Sequence, residues 1–330
     1  MVQLTWPHKD TDWAPILPEI TAVYEEMARE ISKREALLIV APEGANLPSP
    51  FTLHLSPYTS NDTWARDHGF ISVESEKSVV LLDFKFNGWG EKFEAKLDNA
   101  INRHLFDQGL VKGTYEDHLD FVLEGGSIES DGKGTVFTTT CCLMAPHRNQ
   151  PLTQSEIEVR LKEYLGAQRI VWLNHGSLIG DDTDGHIDTL VRICPDDTLL
   201  YISCDDPEDE QYEELRLMEE QLKTFRTLEG KPYRLMKLPM PRPIYDGDDR
   251  LPATYANFLI VNGAVLCPTY AQPDLDAEAL RIIGEAFPDR EIVGIDCRSI
   301  IRQHGSLHCC TMQFPMIKTT TKTTKTTCHL

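Results

Sequence analysis

The sequence predicts a protein of the α/β class, in which helices and short strands alternate along the chain. Three observations support this prediction. Apolar residues recur at helical spacing in five segments, about a dozen short apolar runs lie between them, and three of the helices lead quickly into such a run. A radial repeat of small βα modules and a doubly wound sheet both fit this order. No Gly-x-Gly-x-x-Gly run lies between a strand and a helix, which weakens the hypothesis of a dinucleotide-binding fold.

Each predicted helix shows one stripe of apolar side chains spaced three or four residues apart. The stripes are, in chain order, Ile20, Val23, Met27 and Ile31; Ile101, Leu105 and Phe106; Ile157, Leu161, Tyr164 and Leu165; Leu215, Met218, Leu222 and Phe225; Leu280, Ile283 and Phe287. Thr153 and Glu156 are spaced as a capping box, which predicts that the third helix begins after Thr153.

The predicted strands are short runs rich in β-branched and other apolar residues. They lie at residues 37–40, 79–82, 135–137, 169–173, 199–202 and 291–295. A further pair, 258–261 and 264–266, is predicted to form a β-hairpin, because Asn262 and Gly263 between them favour the positive φ angles of a type I′ turn.

Composition excludes several classes of protein. With 52 acidic and 32 basic residues among 330, the net charge is −20, which argues against binding to nucleic acid or to anionic membranes and favours a cationic small molecule. No apolar run approaches the ~18 residues of a membrane helix. The start of the chain lacks the basic and apolar regions of a secretory signal, so we expect a cytoplasmic protein whose nine cysteines are free thiols.

No break in composition divides the chain into two domains. Residues 1–315 are expected to form a single catalytic domain, and the Lys- and Thr-rich residues 316–330 a disordered tail without a role. The Pro- and Asp-rich stretch 239–252 is the best candidate for a long lid loop.

One segment that can carry chemistry contains His186 and Asp188. These residues begin a run that is typical of a strand, where positions i and i+2 project to the same face. Such a pair can be an acid–base group, half of a metal site or a satisfied polar pair. The turn-rich stretch 180–185 before it is the kind of loop that presents binding groups.

A second such segment contains Cys309 and Cys310. A thiolate at either position could act as a nucleophile, although a buried and inert cysteine is the commoner case. His304 and His308 lie close by and suggest a zinc cluster, a hypothesis that the adjacent cysteines weaken because structural zinc sites space their cysteines apart.

Three further residues are unremarkable when each is considered alone. Trp64 is most simply a core residue, and Asp67 an ion-pair partner of a basic side chain. Glu124, just before a glycine pair, is most simply a cap or a solvated loop residue.

Taken together and in order, these segments resemble the agmatine deiminases, a family of the guanidine-modifying (pentein) superfamily. The family pattern runs Trp-x-Arg-Asp-x-Gly, Glu-x-Gly with a following Asp-Gly-x-Gly-Thr, Gly-His-x-Asp, and Gly-x-x-His-Cys-x-Thr. The matching segments here are 64–69, 124–135, 185–188 and 305–311, and the stretches 87–90 and 253–258 also resemble the family. The resemblance implies a pentein α/β propeller, with five ββαβ modules around a pseudo-fivefold axis and the active site in the central channel.

The resemblance also implies a role for each site residue. The implied roles are Cys309 as nucleophile, His186 as general acid and base, Asp67 and Asp188 as carboxylates that clamp the guanidinium, Glu124 as the residue that orients the histidine and closes the charged end of the substrate, and Trp64 as a contact to the substrate. Cys309 is preferred to Cys310 because it occupies the cysteine position of the His-Cys-x-Thr register.

The implied reaction is hydrolysis of agmatine to N-carbamoylputrescine and ammonia through a covalent thiouronium intermediate, with no metal and no organic cofactor. The implied partner is a small cationic guanidine. The sequence does not decide whether the protein forms a homo-oligomer. Trp64, Asp182 and Asp184 are the candidates for holding the distal amine of the substrate.

Alternative hypotheses stay open at this point. Deimination of free arginine or of peptidyl-arginine would use the same chemistry on another substrate. From another class come a non-catalytic polyamine-binding protein and a metal-dependent hydrolase built on His186, Asp188, His304 and His308.

Overall fold

The strands of the protein form five sheets of three or four strands and one small two-stranded sheet. The computed structural model describes residues 1–45, 47, 53–75, 78–315 and 327–329. The strands are β1 (Val2–Thr5), β2 (Leu37–Ala41), β3 (Leu53–Pro57), β4 (Ile71–Glu74), β5 (Val79–Lys85), β6 (Thr114–Val122), β7 (Ile128–Ser130), β8 (Thr135–Thr139), β9 (Arg169–Leu173), β10 (Val191–Cys194), β11 (Thr198–Ile202), β12 (Arg234–Leu238), β13 (Tyr245–Asp246), β14 (Asp249–Arg250), β15 (Leu259–Val261), β16 (Ala264–Thr269), β17 (Glu291–Asp296), β18 (Thr311–Gln313) and β19 (Thr327–His329).

The predicted α/β class is confirmed, because helices are interspersed among these strands. The helices are α1 (Leu17–Ser32), α2 (Ala65–His68), α3 (Gly88–Glu91), α4 (Ile101–Asp107), α5 (Thr140–Leu143), α6 (Gln154–Leu165), α7 (Tyr212–Thr224) and α8 (Pro273–Ala286). The five predicted helices correspond to α1, α4, α6, α7 and α8, whereas α2, α3 and α5 have only four residues each and show no apolar stripe.

Four of the large sheets share one connection pattern. An antiparallel pair is followed by a helix and then by a strand that runs parallel to the second strand of the pair. For example, β7 pairs with β8, and α6 then leads to β9, which runs parallel to β8. The remaining large sheet acquires the same pattern from both ends of the chain, since β18 pairs antiparallel with β1 and α1 leads to the parallel strand β2.

Local sequence explains where the helices form. In α1, Ile20, Tyr24, Met27 and Ile31 are buried at helical spacing, and Tyr24 takes the place in the stripe that the sequence suggested for Val23. The predicted capping box at Thr153 is confirmed, since both of its hydrogen bonds are present at the start of α6. The helices pack on the sheets, and the largest apolar cluster joins α1, α7 and α8 to strands that include β2, β11 and β16.

The predicted hairpin is confirmed as β15 and β16, but the predicted type of its turn is wrong. Gly263 has a φ of +74°, whereas Asn262 is not among the residues with positive φ. The turn between β10 and β11 does have two consecutive positive φ angles, as a type I′ turn requires, at Asp196 and Asp197.

Two predicted irregular segments contain ordered strands. The stretch 239–252 holds the small hairpin of β13 and β14. In the expected tail, Thr327–His329 forms β19, which pairs antiparallel with β4 where the sequence predicts disorder. Residues 316–326 and 330 lie outside the described residues. None of the described helices is both long and apolar enough to cross a lipid bilayer.

Candidate active site

A cavity of about 190 Å³ has the side chain of Cys309 in its wall. The described residues that line it are Asp12, Asp62, Trp64, Asp67, Trp89, Phe93, Asp182, Thr183, Gln303, His304, Gly305 and Cys309. Four of these lining residues are aspartates, three are aromatic, and none is Lys or Arg. One end is buried, with Asp67 and Cys309 each 3% exposed, and at the other end Phe93 is 46% exposed. Such a cavity suits a slender cation with an apolar chain.

Five turns supply the polar groups around the buried end of the cavity. The turns belong to five different large sheets, and each turn precedes the first strand of the antiparallel pair in its own sheet. Two to four residues before β4, β7, β10, β15 and β18 stand, respectively, Asp67, Glu124, Asp188, Asn257 and Cys309. Neighbouring turns are bonded to each other. The hydrogen bonds are Gly126 N–H to Asp67 Oδ1 (3.1 Å), Asn257 Nδ2 to the Asp188 carbonyl (3.4 Å), His308 N–H to Asn257 Oδ1 (2.8 Å) and Arg66 N–H to the Cys309 carbonyl (3.1 Å).

Cys309 lies on the turn just before β18, and not on the strand itself. Its thiol donates to Asn257 Oδ1 at 3.4 Å, and this oxygen also accepts from the Cys309 backbone N–H at 3.3 Å. The neighbouring Cys310 directs its thiol to the Ser306 carbonyl at 3.4 Å and does not line the cavity. Burial, together with Asp188 and Asp67, raises the pKa of Cys309 well above its ordinary value.

Both carboxylate oxygens of Asp67 accept hydrogen bonds from neighbouring residues. Trp89 Nε1 donates to Oδ2 at 3.0 Å, and the Gly126 backbone N–H donates to Oδ1. Position 126 requires glycine, because a Cβ there would lie 2.6 Å from His186 Nδ1 and 2.8 Å from Asp67 Oδ1. Burial raises the pKa of Asp67 despite the nearby His186.

His186 does not stand on a strand, so the prediction that it shares a strand face with Asp188 is wrong. Residues Ile187–Thr189 form a 3₁₀ turn, and β10 begins only at Val191. The Thr189 hydroxyl and backbone N–H both bond back to the His186 carbonyl, at 2.8 and 3.3 Å, which closes the turn. The local apolar run could not show this hydrogen bonding.

The ring of His186 is fully buried between two carboxylates. Nδ1 lies 3.5 Å from Asp67 Oδ1 and Nε2 lies 3.9 Å from Glu124 Oε2, and neither ring nitrogen has a hydrogen-bond partner among the described residues. Burial alone would lower the pKa of His186, but Asp67, Cys142 and Glu124 outweigh burial and raise it well above the ordinary value.

Glu124 is fully buried and is held by an arginine that the sequence analysis missed. Arg148 Nε donates to Glu124 Oε1 at 2.9 Å, and Arg148 Nη1 donates to Asp184 Oδ2 at 2.9 Å. Burial opposes ionisation of Glu124, yet His186 and Arg148 lower its pKa below the ordinary value. Asp184, a predicted contact of the distal amine, is therefore an ion-pair partner of Arg148 and is not part of the cavity wall.

Asp188 is paired with His308 through one oxygen only. His308 Nδ1 lies 2.7 Å from Asp188 Oδ2, while Asp188 Oδ1 has no hydrogen-bond partner among the described residues. Arg192 Nη2 lies 3.3 Å from His308 Nε2, and since arginine can only donate, Nε2 accepts and Nδ1 carries the hydrogen that Asp188 receives. Burial raises the pKa of Asp188 to about 7.

Trp64 forms a wall of the cavity. Its Nε1 donates to Asp62 Oδ2 at 2.9 Å, and its ring packs so closely on Gly305 that a Cβ there would lie 2.2 Å from it. Burial raises the pKa of Asp62 to about 6. Of the predicted contacts of the distal amine, Trp64 and Asp182 line the cavity. No residue of the predicted lid loop 239–252 does.

The four residues of the predicted metal-dependent hydrolase do not gather at one point. His304 Nδ1 lies 2.7 Å from the Gly180 carbonyl, and both ring nitrogens of His308 are already engaged. Among the described residues, one group of three possible metal ligands lies together instead: the donor atoms of Glu124, Cys142 and His186 all lie within 4.8 Å of one another.

Several residues of the site are not among those predicted from the sequence. Trp89 and Asn257 lie in the family-like stretches 87–90 and 253–258, to which no role was attached, so an available pattern could have found them. Asp12 and Asp62 belong to no such stretch and reach the cavity only through the fold.

Comparisons with known proteins identify the family of the chain. The family model of the Porphyromonas-type peptidyl-arginine deiminases matches residues 1–315. Agmatine deiminase from Medicago truncatula is 32% identical, with 94% of this chain and 92% of that protein covered. A structure of C. jejuni agmatine deiminase with substrate bound has a TM-score of 0.87 and 37% identity, covering 94% of this chain and 92% of that one.

A further solved structure, of a Porphyromonas gingivalis protein described as a candidate arginine deiminase, has a TM-score of 0.91 and 52% identity over 95% of each chain. The resemblance predicted from four short motifs is thereby confirmed along nearly the whole chain. The chain belongs to the Porphyromonas-type peptidyl-arginine deiminase family, within the pentein superfamily, and is a relative of the agmatine deiminases.

Proposed function

We propose that the protein is an agmatine deiminase, which hydrolyses agmatine to N-carbamoylputrescine and ammonia. The observation that carries this proposal is the cavity, which joins a buried thiol and carboxylate to indole walls and, at its exposed end (the mouth), to the carboxylates of Asp12 and Asp182. Agmatine has a guanidinium at one end, an apolar chain and an ammonium at the other end, and therefore matches this order of groups. Relatives named agmatine deiminase support the same conclusion.

Asp67 and Asp188 clamp the guanidinium. A guanidinium is planar and stays protonated, so carboxylates in its plane can each accept hydrogen bonds from it. The unpartnered Oδ1 of Asp188 and the remaining lone pairs of Asp67 supply the acceptors. The clamps leave one face of the central carbon open to Cys309.

The Cys309 thiolate attacks the guanidinium carbon, and His186 gives its proton to the nitrogen that leaves as ammonia. A thiouronium remains on the sulfur. His186 then takes a proton from water, and the resulting hydroxide adds to the carbon. The thiolate leaves and the added hydroxyl gives up its proton to solvent, which yields neutral N-carbamoylputrescine. Bound substrate offsets the charges of Asp67 and Asp188, which favours the thiolate that the empty site disfavours.

Glu124 faces the ring of His186, and its negative charge orients the ring and stabilises the protonated form. Its Oε2 faces His186 Nε2 at 3.9 Å, and Arg148 fixes the other oxygen. The distal ammonium of the substrate lies at the mouth, where Asp182 and Asp12 line the cavity and the faces of Trp64 and Trp89 flank the alkyl chain.

Free arginine is a poorer fit to the same cavity. Its carboxylate would need a cationic partner, and the described lining residues include four aspartates and neither Lys nor Arg. One ammonia assay with agmatine, arginine and a blocked arginine ester separates the three substrates. We expect agmatine to have the highest kcat/KM, and a higher value for either of the others would overturn the choice of substrate.

The nucleophile is tested by two adjacent substitutions. Cys309→Ala should lose at least about 10³-fold in kcat, as expected when a nucleophile is removed. Cys310→Ala is the matched control and should keep most of the activity, since that thiol faces the Ser306 carbonyl. Mass spectrometry should show one alkyl group per chain when wild type reacts with an amidine alkylator, and none on Cys309→Ala. Full activity of Cys309→Ala would refute the mechanism.

We further infer that the five large sheets surround the site as the blades of a propeller with a pseudo-fivefold axis. The repeated connection pattern and the bonds that link successive turns support this arrangement. An experimental structure in which the five turns do not encircle the cavity would contradict it. The cytoplasmic location and the homo-oligomer stay predictions.

A further inference from the structure

We propose that Glu124, Cys142 and His186 form a binding site for zinc, and that zinc bound there inhibits the enzyme. The donor atoms of these three side chains lie within 4.8 Å of one another, and all three side chains are buried. The inhibition rests on the proposed function, because it assumes that His186 transfers protons in catalysis. The binding of the ion does not depend on that assumption.

The spacing of the donors fits one ion better than it fits hydrogen bonds. The distance of 3.9 Å between His186 Nε2 and Glu124 Oε2 is too long for a hydrogen bond. Zinc–nitrogen and zinc–oxygen bonds of about 2.1 Å place the donors of a tetrahedral site roughly 3.4 Å apart. Small rotations of the side chains would therefore bring the donors to ligand positions.

Two of the donors have no other partner. His186 Nε2 and Glu124 Oε2 are buried polar atoms without a hydrogen bond among the described residues. Buried polar atoms are normally satisfied, so an unpartnered pair that faces a thiol is unusual. A cation between them would satisfy both atoms at once.

The surrounding side chains orient the ligands as they do in known zinc sites. Asp67 Oδ1 lies 3.5 Å from His186 Nδ1 and favours a hydrogen on that nitrogen, which leaves Nε2 free for a metal. Arg148 Nε donates to Glu124 Oε1 at 2.9 Å and leaves Oε2 toward the cluster. On α5, the backbone N–H of Cys142 donates to the Thr139 hydroxyl at 3.3 Å.

Ligand type and charge favour zinc over harder cations. A thiolate, an imidazole and a carboxylate are the donors that zinc prefers, whereas calcium and magnesium prefer oxygen. On binding, Cys142 and the protonated His186 each release one proton to solvent, and the thiolate and the Glu124 carboxylate then balance the two charges of the ion. The acidic cavity, which Asp67 lines next to His186, offers a path along which cations are concentrated.

Zinc on His186 Nε2 would keep that nitrogen from carrying a hydrogen, so the ring could not form the doubly protonated state that gives its proton to the leaving ammonia. The enzyme should therefore lose activity in proportion to the zinc bound and recover it with a chelator. This site differs from a simple reaction of zinc with the nucleophile, because it uses Cys142 and not Cys309.

The test measures metal content, spectrum and activity on the full chain. We expect one zinc per chain, and cobalt substitution should give a thiolate-to-cobalt absorption band. Cys142→Ser should abolish the band and weaken zinc binding by more than about 100-fold, since the loss of an outer-shell partner alone costs about 10–100-fold. Its inhibition by zinc is measured against its own metal-free activity.

Two further variants make the outcome decisive. Cys141→Ser changes the adjacent, exposed thiol and should bind zinc like wild type. Cys309→Ser should keep zinc binding and the cobalt band, even though it is expected to be inactive. Loss of the band in Cys309→Ser, or its persistence in Cys142→Ser, would overturn the site. Zinc that binds through Cys142 to an enzyme without agmatine deiminase activity would refute the proposed function alone.

Discussion

Two buried histidines of this protein stand beside carboxylates, yet their hydrogen bonding differs completely. His186 lies 3.5 Å from Asp67 and 3.9 Å from Glu124, with no hydrogen bond to either ring nitrogen among the described residues. His308 lies 2.7 Å from Asp188 and also contacts an arginine through its second ring nitrogen. One ring is free to gain and lose a proton, and the other is held in a single tautomer.

The pKa values of the two histidines shift in opposite directions because the charges around the two rings differ. Burial lowers the pKa of both rings, but the carboxylates around His186 outweigh burial and raise its pKa well above the ordinary value. At His308, Arg192 and Arg66 add to burial, and the pKa falls well below the ordinary value. A neighbouring carboxylate alone therefore does not make a histidine an acid–base catalyst. The sum of the charges around it decides.

The largest effect in this comparison is expected for His186→Gln. Glutamine cannot carry the proton to the leaving nitrogen, so kcat for agmatine should fall by about 10²–10⁴-fold. Ammonia release measures the loss, and circular dichroism confirms that the variant is folded. Activity within threefold of wild type would show that His186 is not the acid–base group.

A smaller effect is expected for His308→Gln, which removes the donor to Asp188. The pKa of Asp188, already raised by burial to about 7, should rise further. The carboxylate is then ionised only at higher pH, so the acid limb of the kcat/KM profile should move toward alkaline pH. A lost hydrogen bond to a charged group, worth about 1.5–3 kcal/mol, predicts a shift of roughly 1–2 pH units.

His308→Asn is the matched control for that substitution. Its amide can donate from the position of Nδ1, so the profile should return toward that of wild type. Equal shifts in the two variants would mean that His308 acts through packing and not through Asp188.

The smallest effect is expected for His147→Gln, which extends the comparison to an exposed pair. His147 Nδ1 lies 3.4 Å from Glu91 Oε2, with the side chains 65% and 63% exposed. Solvent screens such a pair, so the free energy of unfolding, measured by thermal denaturation, should change by less than about 1 kcal/mol. The activity should stay unchanged. A marked loss of activity would reveal a role for this surface pair that burial does not explain.

The sequence was most informative where structure depends on near neighbours. The stripe of α1, the capping box of α6 and the hairpin of β15 and β16 were all predictable, because each uses residues within a few positions of one another. The turn at Asn262 and the 3₁₀ turn after His186 were predicted wrongly. The Asn262 backbone N–H donates to Glu35 Oε1 and the Thr189 hydroxyl donates to the His186 carbonyl, and the local residue pattern displays neither contact.

For the site, four ordered motifs identified the family and singled out Cys309, but they could not supply the partners. Arg148, Asp12 and Asp62 reach the site from separate loops, and nothing in their local sequence distinguishes them from other polar loop residues. Cys142 stands next to an exposed cysteine of the same type, and only the fold shows which of the two faces His186.

By itself, the sequence determined the helices, many of the strands and the inventory of reactive groups, because periodicity and motif order are properties of neighbouring residues. Only the tertiary structure decided which groups meet and which of them are charged. His186 and His308 are both histidines within motifs of the same family pattern. Their opposite protonation follows from charges a few ångströms away, and these charges come from turns that lie far apart in the chain.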